Sequence, residues 1–593
     1  MEKNYQVGSW DLSEVLPQDI EAKLADIEVL ASEFENLREN ISSEMSKEDF
    51  LNTVKLKEQI VIKMHMLGAG AQLKFSEDTS NPQSSQLMGN IQRFGAELSN
   101  RMLFFSLWMK SLDDKNFERL SSNTGDYESY FNNVRRGKEF TLNEEVEQMV
   151  NLKDSTGGSV LMTVYNKITS SFRYPMVIHE EERELNESEL RALYHSPNAK
   201  VRAEVYQKHN ERYAKESSVL SEIYIALIRD WHNECVKIRG YKSPISVRNF
   251  SNELPDEAVD ALLETCKENA GLFQRYFKMK AELCGIKGNI SRTDIYAPIK
   301  ETSNQTYSYD EAVKLVMEGF NTFSPEMAEM ALSVLEANHV HSELGKNKAG
   351  GAYCMGMPPG TLPFVLLNHT EKARDVSTMA HELGHAVHDI LATQEHGIFT
   401  YHPSIAMAET ASVFSEMVLN SMLLEKATDS VLKKELLNAE LGDIYATVMR
   451  QAYFVIFEKA AHDLINSPQG ASVEQLSDLY YSQLQEQFGD SMEIPEDFRN
   501  EWITIPHIFR SPFYCYGYSF GQLLTLSLYE MYQKEGEAFM PKYLKILSAG
   551  GSRLPEDVLS EVGIDINSRD FWQNGFNLIK SKLDELETLL KNK

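Results

Sequence analysis

A chain of 593 residues, 42% hydrophobic and 25% charged, has the composition of a folded globular protein and the length of two or more domains. Its formal net charge of −29 opposes phosphate backbones and anionic bilayers, which excludes nucleic acid and membrane surfaces as expected partners. Five dispersed cysteines without CxxC spacing, no apolar core in Met1–Gly8 and no run of about 18 apolar residues describe reduced thiols in a cytoplasmic protein, with neither export nor membrane spanning expected.

Residues 17–41 carry Ile20, Leu24, Ile27, Ala31, Phe34, Leu37 and Ile41 at spacings of three and four, the mark of a long amphipathic helix. Ser46 with Asp49 three residues later predicts the start of a second helix, and Leu87–Leu112 reads as a third. Between about 140 and 195 the pattern loosens. Thr156-Gly-Gly-Ser predicts a turn, Tyr174-Pro-Met-Val-Ile178 a strand, and Leu185-Asn-Glu-Ser-Glu a new helix. A boundary near 195 divides the chain into an N-terminal helical domain, 1–195, and a larger domain, 196–593. Helical periodicity resumes over 199–285, with Trp231 and Tyr276 expected in the core. Gly350–Gly360 followed by Thr361–Leu367 reads as glycine-rich loop and short strand in an otherwise helical chain. The expected class is mainly α, with a small sheet next to the helix that follows.

That helix begins near Asp375 or Ser377, either of which can cap it, and contains His381-Glu382-Leu383-Gly384-His385. Histidines four apart on a helix place both imidazoles on one face, the geometry of a tetrahedral zinc site. Glu382, about 100° round the helix, can reach water at the metal and is the candidate general base. Gly384 costs about 1 kcal/mol relative to Ala in a helix interior, so another backbone element is expected to cross there. His388 and Leu391 stand where a metzincin needs Gly and His, which removes that class. The third ligand is then expected from Ser404–Leu419, an apolar helix with two acids, Glu409 and Glu416, seven residues apart. Acids on such a helix are costly to bury unpaired, and Glu409 is the expected metal ligand. Glu416 either orients a ligating histidine or forms an ordinary salt bridge. His369, His388, His396 and His402 are expected to be structural or solvent-facing rather than ligands.

Downstream, His507, Tyr514 and Tyr518 are candidate donors to a developing oxyanion. Tyr514 and Tyr518 are four apart, and His507 joins them if the bend at Pro512 turns back. Tyr516 points elsewhere by helix phase. Phe576, Ile579, Leu583, Leu586 and Leu590 predict a docked C-terminal helix.

Asp375-Val-Ser-Thr-Met-Ala-His-Glu-Leu-Gly-His with Met407-Ala-Glu-Thr-Ala-Ser412 resembles the oligoendopeptidase F branch of the thimet-oligopeptidase-like M3 zinc peptidases. Lys348–Tyr353, His507–Tyr518 and Ser9–Ser13 are similar to further segments of that branch, while Phe509-Arg510 departs from the aromatic expected after the histidine. The resemblance implies a large helical, two-lobed body enclosing a deep cleft, one Zn²⁺ per chain, and cytosolic cleavage of short unstructured peptides. It implies Glu382 as base, with oxyanion contacts from Tyr518, Tyr514 or His507, and makes 196–593 the catalytic domain. The alternatives are a dipeptidyl carboxypeptidase, which needs a cationic anchor for the peptide C-terminus, and a non-catalytic peptide-binding scaffold. An aminopeptidase is disfavoured, because the nearest match to GxMEN, Gly489-Asp-Ser-Met-Glu493-Ile, follows HExxH and lacks the Asn. Whether the chain is a monomer or a homodimer stays open.

Overall fold

The computed structural model describes residues 4–178, 181–303 and 305–592. Three residues of the Met1–Gly8 stretch read above lie outside them. The chain is mainly helical, with small two- and three-stranded sheets, as expected. It groups into two compact units that interleave along the sequence. The first comprises Met1–Glu139, Asn304–Lys426 and Met531–Ile564, and the second Phe140–Ser303, Ala427–Glu530 and Asp565–Lys593. This grouping by contact differs in kind from a linear division near 195.

In the first unit the N-terminal helices follow their periodicity. Ile20–Asn36 is capped by Asp19, whose carboxylate accepts from the Ala22 N–H, and passes into a tighter turn at Leu37–Asn40. Lys47–Glu77 is capped by Ser46. The third helix, Pro82–Ser111, begins earlier than its apolar stripe does, because Asn81 caps it and Pro82 occupies the first position, where no N–H is needed. Phe34, Phe50, Phe105 and Phe131 are fully buried among them, with Phe50 and Phe131 ring centroids 4.8 Å apart.

The first unit also holds the small sheet. Phe364–Leu366 lies in the middle, parallel to Val340–His341 and antiparallel to Tyr353–Met355, which forms an edge. Two helices complete this region: Ala373–Glu395, buried along most of its length, and Ile405–Lys426.

In the second unit, Tyr174–Ile178 pairs antiparallel with Glu181–Leu185, and Asn186 caps the helix Glu187–Ala192 with Glu189 reaching back. The loosened stretch is more helical than expected. Glu144–Thr156 and Gly158–Ser170 are both helices, broken at Gly157, and the first was hard to read because it buries none of its described side chains. Tyr276 is fully buried, as expected; Trp231 is only half-buried, its indole N–H donating to the Pro244 carbonyl. The C-terminal helix Arg569–Lys591 buries all five residues of its predicted stripe. All five cysteines are free. Among the described residues no helix is long and apolar enough to cross a membrane.

Candidate metal centre

The helix Ala373–Glu395 starts slightly earlier than expected, and its start is secured differently. Neither Asp375 nor Ser377 is the cap residue. Asp375 sits inside the first turn and its Oδ2 accepts from the Thr370 and Lys372 backbone N–H groups at 2.6 and 3.1 Å. Ser377 lies further in and donates to Glu416 Oε2 at 3.0 Å. Such reach-back from the third helical position satisfies N–H groups that the helix itself cannot.

At Gly384 the helix Ile405–Lys426 crosses closely. A Cβ there would lie 2.7 Å from the Ala411 carbonyl oxygen and 2.8 Å from Ser412 Cα. Any larger residue would push the two helices apart, which explains the glycine between the two histidines.

This crossing sets Glu409 opposite the histidines. Its Oε2 lies 3.3 Å from His381 Nε2 and 3.6 Å from His385 Nε2, and the three donor atoms fall within 4.8 Å of one another. Atoms bound tetrahedrally to one zinc at about 2.0–2.2 Å are about 3.3–3.6 Å apart, so the His₂Glu set fits that ion. Ser412 donates to the same Glu409 oxygen at 2.8 Å and fixes the carboxylate.

Glu416 takes the first of its two expected places. Its Oε1 is 2.6 Å from His381 Nδ1. A carboxylate there holds the proton on Nδ1 and leaves the Nε2 lone pair for a metal. Burial opposes charge on His381, yet the Glu416 hydrogen bond and the charges of Glu416, Glu409 and Glu382 together outweigh it and raise its pKa to about 9. His385 bonds to the Ala408 backbone instead, and burial, outweighing that bond and the Glu409 charge, lowers it to about 4.

Glu382 is 6% exposed. Burial pushes its carboxyl up to about 7, against the His381 charge and the Cys354 backbone N–H, which both favour ionisation. Cys354 belongs to the edge strand Tyr353–Met355, so sheet and helix meet at this acid. One turn beyond His385, Asp389 accepts from the Met357 N–H at 2.9 Å and ties the loop after that strand to the same helix.

The other histidines have structural partners. His369 Nε2 pairs with the Tyr307 carbonyl at 3.0 Å, His396 with Asp126 at 2.8 Å, and burial holds His388 neutral, its pKa lowered to about 3. Burial also lowers His402.

The second unit brings His507, Tyr514 and Tyr518 together. The His507 ring centroid is 6.3 Å from each tyrosine ring, and the tyrosine rings meet edge to face at 5.4 Å. Tyr514 does not share a helix with Tyr518, since the helix starts at Tyr516. It lies in the preceding turn, where its carbonyl accepts from the Gly517 N–H. Tyr516 is buried and accepts from Asn252 at 2.9 Å, away from the other two. Phe509 stacks on Tyr165 at 4.3 Å and belongs to the core.

Two residues that the sequence reading missed hold this turn. Arg248 donates to the Pro512 carbonyl and to Ser511 Oγ at 3.2 and 2.8 Å. Glu458, fully buried, accepts from the Phe513 N–H at 2.8 Å. Phe513 has a φ of 59°, a conformation that costs a side-chain-bearing residue energy and persists only when its surroundings fix it. A signal for Glu458 was present, since it is an acid within the apolar helical run Tyr453–Ala461.

Comparison with known proteins supplies the family. The model of peptidase family M3 matches residues 192–578, and that of oligopeptidase F matches 108–174. An oligoendopeptidase F homolog of Borreliella burgdorferi is 24% identical over 98% of both chains. Among solved structures, one from Chlamydophila abortus superposes with a TM-score of 0.89 at 23% identity, covering 98% of each chain. The oligoendopeptidase-F of Enterococcus faecium superposes at 0.72 and 20% identity, covering 97% of this chain and 99% of its own. With the family model spanning well over half the chain and carrying the His381–Glu409 cluster within it, this protein belongs to peptidase family M3, in its oligoendopeptidase F branch.

Proposed function

We propose that the protein is a zinc-dependent endopeptidase that hydrolyses internal bonds of short, unstructured oligopeptides in the cytoplasm, with 196–593 as its catalytic portion. The observation that carries this reading is the convergence of His381, His385 and Glu409 donor atoms within 4.8 Å beside a buried Glu382. His381, His385 and Glu409 hold the ion; zinc, when bound, acidifies a water and polarises the peptide carbonyl. Glu382 accepts the proton from the attacking water and returns it to the leaving amine nitrogen, a role suited to a carboxyl raised towards neutrality by burial. Glu416 keeps the His381 proton on Nδ1 throughout.

The edge strand Tyr353–Met355 can take an extended peptide by strand addition, which grips main chain rather than side chains and so tolerates varied sequences. Tyr514, Tyr518 and His507 are assigned as neutral donors to the carbonyl oxygen as it gains charge. Their support is the similar motif and the clustering of the three rings.

The test is cleavage of an internally quenched peptide of about eight residues, blocked at both ends, by wild type and Glu382→Gln, with metal content measured on both. Wild type should cut it, and the variant should retain zinc while losing about 10²–10⁴ of the rate. Cutting of free-ended peptides alone would make the enzyme a dipeptidyl carboxypeptidase. Metal binding without cutting any peptide would leave a binding scaffold.

A further inference from the structure

A second polar cluster lies in the second unit and takes no part in the chemistry above. Arg292 is 2% exposed, sandwiched against Phe488 and Phe498, and pairs through Nη2 with Glu501 Oε1 at 2.8 Å. The other Glu501 oxygen accepts from Tyr480 at 3.1 Å, so both carboxylate oxygens already have a partner. Arg450 donates through Nη1 to the Tyr296 hydroxyl at 2.7 Å, and among the described residues no carboxylate pairs with it. Two guanidiniums thus share one acid. Arginine cannot shed its proton, so the half-buried Arg450 guanidinium leaves one positive charge without a carboxylate of its own.

Both arginines line a small cavity of about 10 Å³ with Tyr445, Tyr480, Gln483 and Gln487. That is room for one water-sized particle. Several lining groups have buried polar atoms with no protein partner: Arg292 Nε and Nη1, Arg450 Nε, Gln487 Nε2, the Tyr445 hydroxyl and Gln483 Oε1. Donors dominate, and the lone amide oxygen becomes a donor if the Gln483 carboxamide is turned end for end. A water could give its two hydrogens to Gln483 Oε1 and the Tyr445 hydroxyl oxygen, but it would leave the charge of the second guanidinium unbalanced. A small anion needs only donors and also balances the charge. The helix is locally widened over Tyr445–Met449, immediately before Arg450, a distortion often found at functional sites.

We propose that Arg292 and Arg450, with Tyr445 and Gln487, bind one small monovalent anion of chloride size in the second unit. One positive charge without a carboxylate partner favours a monovalent ion over a dianion such as sulfate. The site neutralises the second guanidinium and ties the helix carrying Arg450 to the one carrying Gln487. It stands independently of the metal centre.

The test uses the full chain. Thermal unfolding is followed at fixed ionic strength as sodium gluconate is replaced by sodium chloride, and crystals grown in sodium bromide are examined for anomalous scattering. The expected result is a saturable rise in Tm of a few degrees, and a bromide peak between the two guanidiniums. Arg450→Gln should remove both, with the fold checked by circular dichroism. Should that variant fail to fold, the wild-type bromide map decides alone. Absence of a peak in that cavity at saturating bromide overturns the proposal, whatever the salt does to Tm.

Discussion

The His381–Glu416 cluster and the His507–Tyr518 cluster are held in place by opposite means. In the first, the side chains are bonded to one another within the cluster in three places: Ser412 to Glu409, Ser377 to Glu416, Glu416 to His381. Two crossing helices carry them all, and the rigidity comes from the closeness of the crossing at Gly384. In the second, the three rings touch one another at 5.4–6.3 Å, and the turn is fixed by remote residues, Arg248 and Glu458. The first cluster is preorganised by its own side chains. The second inherits its geometry from buried supports, so the two should fail differently when perturbed.

The sharpest difference is expected on the first cluster. Glu409→Ala removes one of the three proposed ligands and should abolish both stoichiometric zinc and peptide cleavage. Glu416→Gln keeps the shape but weakens the hold on His381, and metal affinity should fall about 10–100-fold. Competition with a chelator of known affinity reads both. Unchanged zinc affinity in Glu416→Gln would make the 2.6 Å contact an ordinary ion pair.

On the second cluster, phenol removal should leave the metal untouched. Tyr514→Phe and Tyr518→Phe should bind zinc as wild type does and lose activity through kcat, by up to about 10²–10³ for whichever hydroxyl serves the oxyanion. Steady-state kinetics on the blocked peptide separates the two. Equal, full kcat in both variants would break the assignment and leave His507 as the remaining donor.

The contrast also explains what could be read from sequence. Helix periodicity placed the long helices, and two histidines four apart declare a shared face without knowledge of anything else in the chain. Glu409 and Glu416 stood out because carboxylates are costly on an apolar helix. Gly384 stood out for its conformational cost. What escaped notice depends on long-range contact. The reach-back of Asp375 depends on where the helix begins, the helix Glu144–Thr156 buries none of its described side chains, and Arg248 meets Pro512 across 264 positions of chain. Tyr514 was expected on a helix that in fact starts two residues later. The same argument that found Glu409 applies to Glu458, but no neighbouring motif drew attention to it.

Glu458 gives the subtlest way to probe the comparison, because two substitutions separate its two roles. Glu458→Leu deletes the acceptor for the Phe513 N–H, leaving a buried donor unpaired beside a residue at positive φ. The turn should relax, lowering kcat several-fold with zinc unchanged and stability reduced by about 1–3 kcal/mol. Glu458→Gln retains an oxygen acceptor, so activity should survive. Its effect is on the pH dependence of stability. Burial pushes the Glu458 carboxyl up to about 8, against an unfolded value of about 4.3. Below about pH 4.3 the group is protonated in both states and costs nothing. As pH rises from there to about 8, the unfolded chain releases a proton that the native state keeps, so stability falls through that window, by a few kcal/mol at most. Above it the native carboxyl ionises too and the loss levels off. Glu458→Gln has no such proton, and its denaturation midpoint should decline less than that of wild type between pH 5 and about pH 8. Parallel profiles for the two proteins would mean that Glu458 is ionised in the native state and holds the turn as a charged acceptor, sharing the task with Arg248.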